Sequence, residues 1–258
     1  MPAAEPRLIE TVALGLLQGP AELLPVSSSA HVGLLPWALR WHHASLDGAA
    51  RKEVEVALHA GTAAVLAVAT RGRLRWRLLA AATAPPALAG LVFERAIESR
   101  LGTPPSVALG LAAGALAMAV ADRVPASRTV ATASDGLALG AAQALALVPG
   151  VSRSGATRAA ARARGFGRAD AAALSREVAL PVLGGASALK GARLLARRPP
   201  LTTVGVLGAG AAAAAASTWA ALRAERGAEP PLAAFAAYRV ALAACIVGVW
   251  RARRSPAA

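Results

Sequence analysis

Cysteine and acidic residues are both scarce in this chain of 258 residues. The single cysteine, Cys245, has no partner within the chain, which excludes an internal disulfide, and no cysteine–histidine spacing suggests zinc. The first ten residues lack the basic region of a cleaved signal peptide. We therefore expect the first apolar segment to remain in the mature protein.

Charge is absent altogether from two long stretches, residues 101–121 and 201–222. Each is long enough to cross a bilayer, since a membrane-spanning helix needs roughly 20 mostly apolar residues. Shorter apolar stretches leave the number of full spans open. The composition, 56% hydrophobic with a mean hydropathy of +0.49, predicts an all-α, polytopic integral membrane protein.

Basic residues outnumber acidic ones by 28 to 14, giving a net charge of +14. In a soluble protein this excess would suggest nucleic acid as the partner. Here the basic residues cluster between apolar stretches, at 71–77, 190–198 and 251–254, which is typical of loops that face anionic lipid headgroups. We expect the bilayer as a partner and no nucleic acid.

Two segments depart from plain apolar helix, residues 18–31 and residues 143–157. When they are superimposed at an offset of 125 residues, Gln18 matches Gln143, Ser27 matches Ser152 and Ser29 matches Ser154. Paired proline-interrupted segments at corresponding positions of two halves point to a central binding site. The offset is close to half the chain and indicates an internal duplication.

Each of these segments predicts a broken helix. An apolar run reaches Pro25 or Pro149, which disfavours helix at the preceding residue, and serines suited to cap a new helix follow. Irregular backbone at membrane depth survives only when it is buried in protein or lines a wet cavity. The new helix N-termini carry free N–H groups and a positive dipole end, which attract phosphate.

Side chains suited to phosphoryl transfer accompany the two breaks. Gln18 and Glu22 share one helical face, and an intramembrane carboxylate costs on the order of 3 kcal/mol unless it has a partner or a function. His31 follows Ser28 by three residues, and Arg153 offers a planar fork for phosphate oxygens. Taken singly, each could be structural: an interfacial carboxylate, a helix cap or an arginine that reaches the headgroups. We assign only structural roles to the three other histidines, His42, His43 and His59.

The first segment resembles the QG-x-TE-x-LP-x-SSS-x-H motif of the bacterial undecaprenyl-diphosphate phosphatases, the bacitracin-resistance family. The second segment resembles that family's PG-x-SRSG-x-T motif. Shorter matches occur, in the family's order, at residues 58–62, 179–181 and 235–239. Together the matches run from about residue 14 to about residue 242, which is nearly the whole chain.

This resemblance implies an activity, a fold and a cofactor. Members remove one phosphate from the undecaprenyl diphosphate carrier left over from cell-wall synthesis, and they depend on a divalent cation, Mg²⁺ or Ca²⁺. The implied fold is a single membrane domain over residues 1–258, with two inverted repeats at about 8–125 and about 133–250. Each repeat would hold a re-entrant broken helix pair and about three spans. The implied location is the bacterial inner membrane with the site facing outward, and we also consider a homodimer.

The resemblance also assigns roles to residues. Glu22, with Gln18, falls on the acidic pair and would hold the cation, while Arg153 would hold the diphosphate. Ser28 is the expected nucleophile and His31 its general base and then acid. In an alternative, metal-activated water attacks and Ser28 only binds phosphate. The expected substrate-binding residues are Gln18, Ser27, Ser29, Ser152, Ser154 and Thr157.

The sequence departs from the family pattern at several positions. Ala21 replaces the usual threonine and Ala30 the usual glycine. Arg176 and Glu177 interrupt an apolar pattern within a predicted intramembrane helix, where we expect them to pair with each other or to shift the helix towards the interface.

Two other functions share features with this sequence. Inverted repeats are also a transporter signature, so a flippase of the polyprenyl phosphate carrier without hydrolysis is the alternative function. Membrane members of the acid phosphatase superfamily need a histidine well downstream of a serine–arginine pair. The last histidine here, His59, precedes Arg153, so that family is excluded.

Overall fold

The computed structural model describes residues 5–71, 74–225 and 229–254. Within these residues the structure is helical, with no strand, and a short 3₁₀ turn at His42–Ser45 joins two of the helices. The ten α-helices of this part of the chain are α1 (Leu8–Leu23), α2 (Ser28–Leu39), α3 (Gly48–Thr70), α4 (Trp76–Leu101), α5 (Pro104–Ala121), α6 (Ala133–Leu145), α7 (Arg153–Ala163), α8 (Arg168–Ala196), α9 (Leu201–Ala224) and α10 (Leu232–Arg254). The predicted all-α fold is confirmed.

Six of these helices are long and apolar enough to cross a membrane: α3, α4, α5, α8, α9 and α10. The chain is therefore a multi-pass membrane protein, as the composition predicted. The other four have between 11 and 16 residues, fewer than the roughly 20 that a span requires. They are α1 with α2 and α6 with α7, the two pairs in which the sequence predicted a break.

The helix boundaries repeat along the chain. Three pairs of helices begin 125 residues apart: α1 and α6 at Leu8 and Ala133, α2 and α7 at Ser28 and Arg153, and α4 and α9 at Trp76 and Leu201. This is the offset that the two motifs gave. The regular spacing supports an internal duplication, whereas the inversion of the repeats and the single domain remain predictions.

One compact unit contains residues 5–23, 31–71 and 180–225. In it α9 packs against both α1 and α3, and glycines permit the close approach. A Cβ at Gly19 would lie 2.3 Å from the backbone nitrogen of Thr218, and one at Gly61 would lie 2.0 Å from the carbonyl oxygen of Ala211. Its buried apolar core comprises Leu14, Val32, Val54, Leu58, Leu207 and Ala214.

A second compact unit contains residues 24–30, 74–179 and 229–254. In it α4 packs on α6, α10 packs on α5, and α7 contacts α5 and α6. At the 125-residue offset, the α4–α6 pair of this unit corresponds to the α9–α1 pair of the other. Helix packing therefore repeats as the helix boundaries do.

The start of α6 is fixed by a buried carboxylate, Asp135. Arg128 donates to its two oxygens at 2.9 and 2.8 Å, the backbone N–H of Thr132 donates at 2.8 Å, and Arg164 donates from Nε. Burial alone would raise the pKa of Asp135, but these bonds outweigh it and hold the pKa well below its usual range. The ion cluster lies at the first turn of α6, the helix that carries Gln143 and leads into the second break.

We predict that Asp135→Asn lowers the stability of the protein by about 2 kcal/mol or more at neutral pH, because it leaves two arginines without their carboxylate. The folded pKa of Asp135 is depressed, so its stabilisation is complete above the unfolded value of about 3.9 and is lost as the pH falls below it. The difference in melting temperature between wild type and variant should therefore be constant above about pH 5 and should narrow as the pH falls below about 4.

The matched control is Asp47→Asn, which affects an exposed N-cap of α3 whose oxygen accepts from Ala50. Asparagine caps a helix as well as aspartate does, so this variant should melt close to wild type. A difference between Asp135→Asn and wild type that stays constant down to pH 3 would contradict the assignment.

Candidate active site

The first break lies between α1 and α2, at residues 24–27. Ser27 precedes the first residue of α2 and has a φ of 77°, a left-handed conformation that serine rarely adopts. Its hydroxyl lies 3.2 Å from the hydroxyl of Ser29, so the two oxygens share a hydrogen bond. Ser27 is buried, Ser28 is half-buried and Ser29 is exposed.

The second break has the same local geometry. Ser152 precedes α7 with a φ of 70°, and its hydroxyl lies 3.3 Å from that of Ser154. Ser152 also caps the helix, because its Oγ accepts the backbone N–H of Gly155 at 3.1 Å. Left-handed serine costs roughly 1–2 kcal/mol, so its recurrence at matched positions shows that both turns are held by their surroundings.

Arg153 is the first residue of α7, and its side chain is anchored on α8. Its Nη1 donates to the carbonyl oxygen of Ser175 at 2.9 Å. Thr157 supports both residues: its hydroxyl donates to the carbonyl of Arg153 at 2.8 Å and lies 2.7 Å from the hydroxyl of Ser175. Thr157 is therefore placed to orient the arginine rather than to reach outwards.

The two breaks with the serines that follow them, residues 24–29 and residues 148–154, are called the serine turns below, and both belong to one compact unit. The hydroxyl of Ser154 donates to the carbonyl of Leu24 at 2.9 Å, which ties the start of α7 to the chain that leaves α1. This contact joins residues 130 apart in sequence. The structure thus brings together the serines of both motifs, with Arg153 and Thr157.

Glu22 and Gln18 lie together on α1 in the other unit, and both are buried. Gln18 Nε2 donates to Glu22 Oε2 at 3.1 Å, as expected from their spacing on one helical face. On α3, His59 Nε2 lies 3.5 Å from the same oxygen. His59 Nδ1 is 2.7 Å from the carbonyl oxygen of Glu55, and because a carbonyl can only accept, Nδ1 must carry a proton there. The contact between Nε2 and Glu22 is then favourable only if a second proton lies between them.

His59 is thus a neighbour of the candidate carboxylate that sequence reasoning passed over. The feature of the sequence that could have pointed to His59 is the short family match at residues 58–62, but that match gave no role to the histidine. The backbone N–H groups of the other two histidines, His42 and His43, donate to the carboxylate of Glu10 at 3.0 and 2.7 Å, and the structural roles assigned to their side chains stay predictions. Burial lowers the pKa of His43.

His31 lies in the first turn of α2, three residues after Ser28, and is half-buried. The division into units falls within this helix, so that Glu22 and His31 belong to one unit, and Ser28 and Arg153 to the other. The convergence of these four side chains on one phosphate remains a prediction.

The fit of a divalent cation can be judged from the groups around Glu22. In the described parts of the chain, no group of three or more histidine, cysteine or acidic side chains is placed to hold a metal ion. Gln18 presents its amide nitrogen to Glu22 rather than its oxygen. A closed protein cage therefore does not fit, whereas Mg²⁺ often binds one carboxylate together with water and substrate phosphates.

Comparison with known proteins connects this arrangement to one family. The family model described as bacitracin resistance protein BacA matches residues 11–245. The chain belongs to this family. A similar protein from Moorella thermoacetica, named undecaprenyl-diphosphatase, is 36% identical over 96% of this chain and 99% of its own length. Undecaprenyl-diphosphatases from Geobacter sulfurreducens and Elusimicrobium minutum are 36% and 35% identical over 81% and 70% of this chain, and over 85% and 75% of their own lengths.

The departure from the family pattern at Arg176 and Glu177 has a clear structural setting. Glu177 accepts from the backbone N–H of Arg75 at 3.0 Å and from its guanidinium, and Arg176 lies 3.9 Å from Glu229. Each of the two thus has a partner on another element. Arg75 immediately precedes α4, so Glu177 lies at the level where that span begins.

Proposed function

We propose that this protein hydrolyses undecaprenyl diphosphate to the monophosphate and inorganic phosphate, and so recycles the lipid carrier for cell-wall synthesis. The observation that carries the proposal is the pair of matched serine turns, one of which leads into Arg153, within a member of the bacitracin resistance family. The relatives named undecaprenyl-diphosphatase support this substrate, and nothing favours the alternative of transport without hydrolysis.

The turns supply the groups that would bind the diphosphate. Helices α2 and α7 begin at them, and each helix start offers backbone N–H groups and a positive dipole end to an anion. Arg153 adds a permanent charge and a planar fork at the start of α7. Its hydrogen bond to Ser175 would hold the guanidinium in one orientation while the lipid substrate moves.

In our proposal Glu22 holds a divalent cation, Mg²⁺ or Ca²⁺, with Gln18 orienting the carboxylate. When bound, the cation would offset negative charge on the phosphates. Because one buried carboxylate is a minimal site, the remaining ligands would be phosphate oxygens and water. His59 would compete for the same carboxylate oxygen when it carries a proton.

For the chemical step we propose Ser28 as nucleophile. Its oxygen would form a bond to the terminal phosphorus as the bond to the polyprenyl monophosphate breaks, and His31 would take the serine proton. Water would then attack the phosphorus of the phosphoserine as the bond to the Ser28 oxygen breaks, and His31 would return its proton to that oxygen, which releases inorganic phosphate and restores both side chains. The alternative keeps Ser28 as a phosphate ligand and lets water attack directly.

We further propose that the protein lies in the bacterial inner membrane, with its site facing outward; the homodimer stays a prediction of the family resemblance. The six candidate spans support a multi-pass position in a membrane. The outward face follows from the proposed substrate, because the diphosphate carrier is released where cell-wall subunits are polymerised.

The test is release of inorganic phosphate from undecaprenyl diphosphate by the purified protein in detergent. We expect catalytic release that a chelator of divalent cations abolishes and added Mg²⁺ or Ca²⁺ restores. Binding of the lipid without any release would favour transport, and release that a chelator leaves unchanged would overturn the cation proposal.

Arg153→Lys should reduce kcat/KM by about 100-fold, because a point charge replaces a fork that bonds both Ser175 and the phosphate. The matched control is Arg197→Lys, at an exposed arginine of the other unit, which should remain within about twofold of wild type. If Arg153→Lys turns over normally, Arg153 serves only to anchor α7 on α8.

His31→Gln should lose turnover by about 100-fold or more while it still binds the lipid diphosphate, since glutamine bonds but does not exchange a proton near neutral pH. Phosphate release and a separate binding titration measure the two effects. His42→Gln, in the 3₁₀ turn, is the control and should behave like wild type. Equal loss of binding and turnover would make His31 a phosphate ligand.

A further inference from the structure

A fully buried arginine on α10, Arg239, contacts both serine turns. Its side chain is inaccessible to solvent, and all its hydrogen bonds within the described residues go to backbone carbonyls. Nε bonds Leu111 O at 3.2 Å, Nη1 bonds Pro25 O at 3.4 Å, and Nη2 bonds Gly150 O at 2.7 Å, Val151 O at 2.8 Å and Gly110 O at 3.4 Å.

These contacts fix the orientation of peptide groups in both breaks. Pro25 lies two residues before Ser27, and Gly150 and Val151 lie directly before Ser152. In a trans peptide the N–H points away from the C=O, so the carbonyl of Val151, held by Arg239, directs the N–H of Ser152 to the opposite side. Arg239 therefore sets which backbone groups each turn can offer to a ligand.

The space for this guanidinium is provided by two glycines. A Cβ at Gly114 on α5 would lie 2.3 Å from Arg239 Nη2, and one at Gly155 on α7 would lie 2.7 Å from Nη1. Any larger residue at either position would displace the fork. The fit around Arg239 thus depends on three different helices of the same unit.

We infer that Arg239 is a positioning residue for the hydrolysis proposed above: one guanidinium fixes the backbone of both serine turns, so that their hydroxyls and Arg153 keep one arrangement. The role rests on the proposed function, since it is the reaction that requires the arrangement. Arg239 does not itself reach the substrate, because its donors are occupied by carbonyls on a site closed to solvent.

Lysine cannot replace arginine here. Its ammonium keeps the charge, but it has no planar fork to bridge carbonyls that belong to separate segments. In Arg239→Lys we expect kcat to fall by about 10- to 100-fold, because small displacements of reacting groups cost this much. KM should rise by a smaller factor than kcat falls, since Arg153 and the buried charge are retained.

The matched control is Arg158→Lys. Arg158 lies in the same unit and is also almost fully buried, but it bonds Glu229 at 2.9 Å rather than the carbonyls of the turns. Activities are compared per folded molecule, well below the melting temperature of either variant. A general cost of altering a buried arginine would lower kcat equally in both variants, which would overturn the inference.

Hydrogen–deuterium exchange gives a readout that does not depend on turnover. In Arg239→Lys we expect faster exchange at residues 24–30 and at residues 148–156 together, although these segments are more than 100 residues apart in sequence. Arg158→Lys should leave residues 24–30 unchanged. Exchange that rises in only one of the two turns in Arg239→Lys would overturn the inference that one side chain holds both.

A second pair of variants guards against misfolding of Arg239→Lys. Gly114→Ala keeps the arginine but pushes its fork aside, and it should reproduce the loss of kcat. Because the new Cβ would also lie 2.6 Å from the carbonyl oxygen of Val151 in the second turn, the exchange that tests Arg239 in this variant is that of residues 24–30, which should be faster. Its control, Gly136→Ala, places a Cβ 2.5 Å from the carbonyl of Leu78 at another helix contact of the unit and should affect stability alone.

The two proposals fail in different ways. Normal kcat in both Arg239→Lys and Gly114→Ala, with phosphate release by wild type, would overturn only the role of Arg239. Absence of release by wild type would overturn the proposed hydrolysis, and with it any positioning role in that reaction.

Discussion

A turn that interrupts two helices leaves backbone carbonyls without helical partners, and where such a turn is buried each carbonyl needs another donor. The fold of the second unit depends on how this constraint is met. Arg239 meets it with one side chain. Its guanidinium bonds carbonyls from the chain after α1, from α5 and from the chain before α7. A buried charge and a buried carbonyl each carry a desolvation cost unless they are hydrogen-bonded. The bonds between the guanidinium and the carbonyls offset both costs. The serine turns can keep their unfavourable backbone conformation because the peptide groups beside them are held in this way.

The duplication extends from helix boundaries down to single torsion angles. Ser27 and Ser152 have nearly equal positive φ values, and each lies within hydrogen-bonding distance of the serine two residues later. The sequences around them differ, since the residue at the matched position is Pro25 in one turn and Gly150 in the other. Equal geometry from unequal sequence indicates that the left-handed serine is the feature the fold preserves. The two halves differ at the residue directly after the left-handed serine, which is Ser28 in the first turn and Arg153 in the second.

Sequence reasoning predicted those parts of the site that depend on residues close in the chain. The break after α1, the serine cap of α7, the pairing of Gln18 with Glu22 and the spacing of the repeat all follow from local periodicity and proline placement. It could not place His59 against Glu22, because the two residues lie on different helices and the alanine-rich sequence around His59 gives no sign of the contact. Arg239 lay within a recognised short match, but its partners are up to 214 residues away and are backbone carbonyls, which leave no mark in the sequence. Contacts of this kind are set by packing alone.

The charged pair that interrupts α8 is compatible with the site because the contacts of Ser175 do not depend on its neighbours' side chains. Ser175 holds Arg153 through its carbonyl and Thr157 through its hydroxyl, and both groups remain whatever follows in sequence. Glu177, two residues further along the helix, bonds Arg75 at the start of α4, one of the candidate spans. With 29 residues, α8 exceeds the roughly 20 needed to span, so the turn that carries Arg176 and Glu177 need not lie in hydrocarbon. The departure from the family pattern therefore adds contacts from α8 to Arg75 and Glu229, while the support that it gives to Arg153 stays the same.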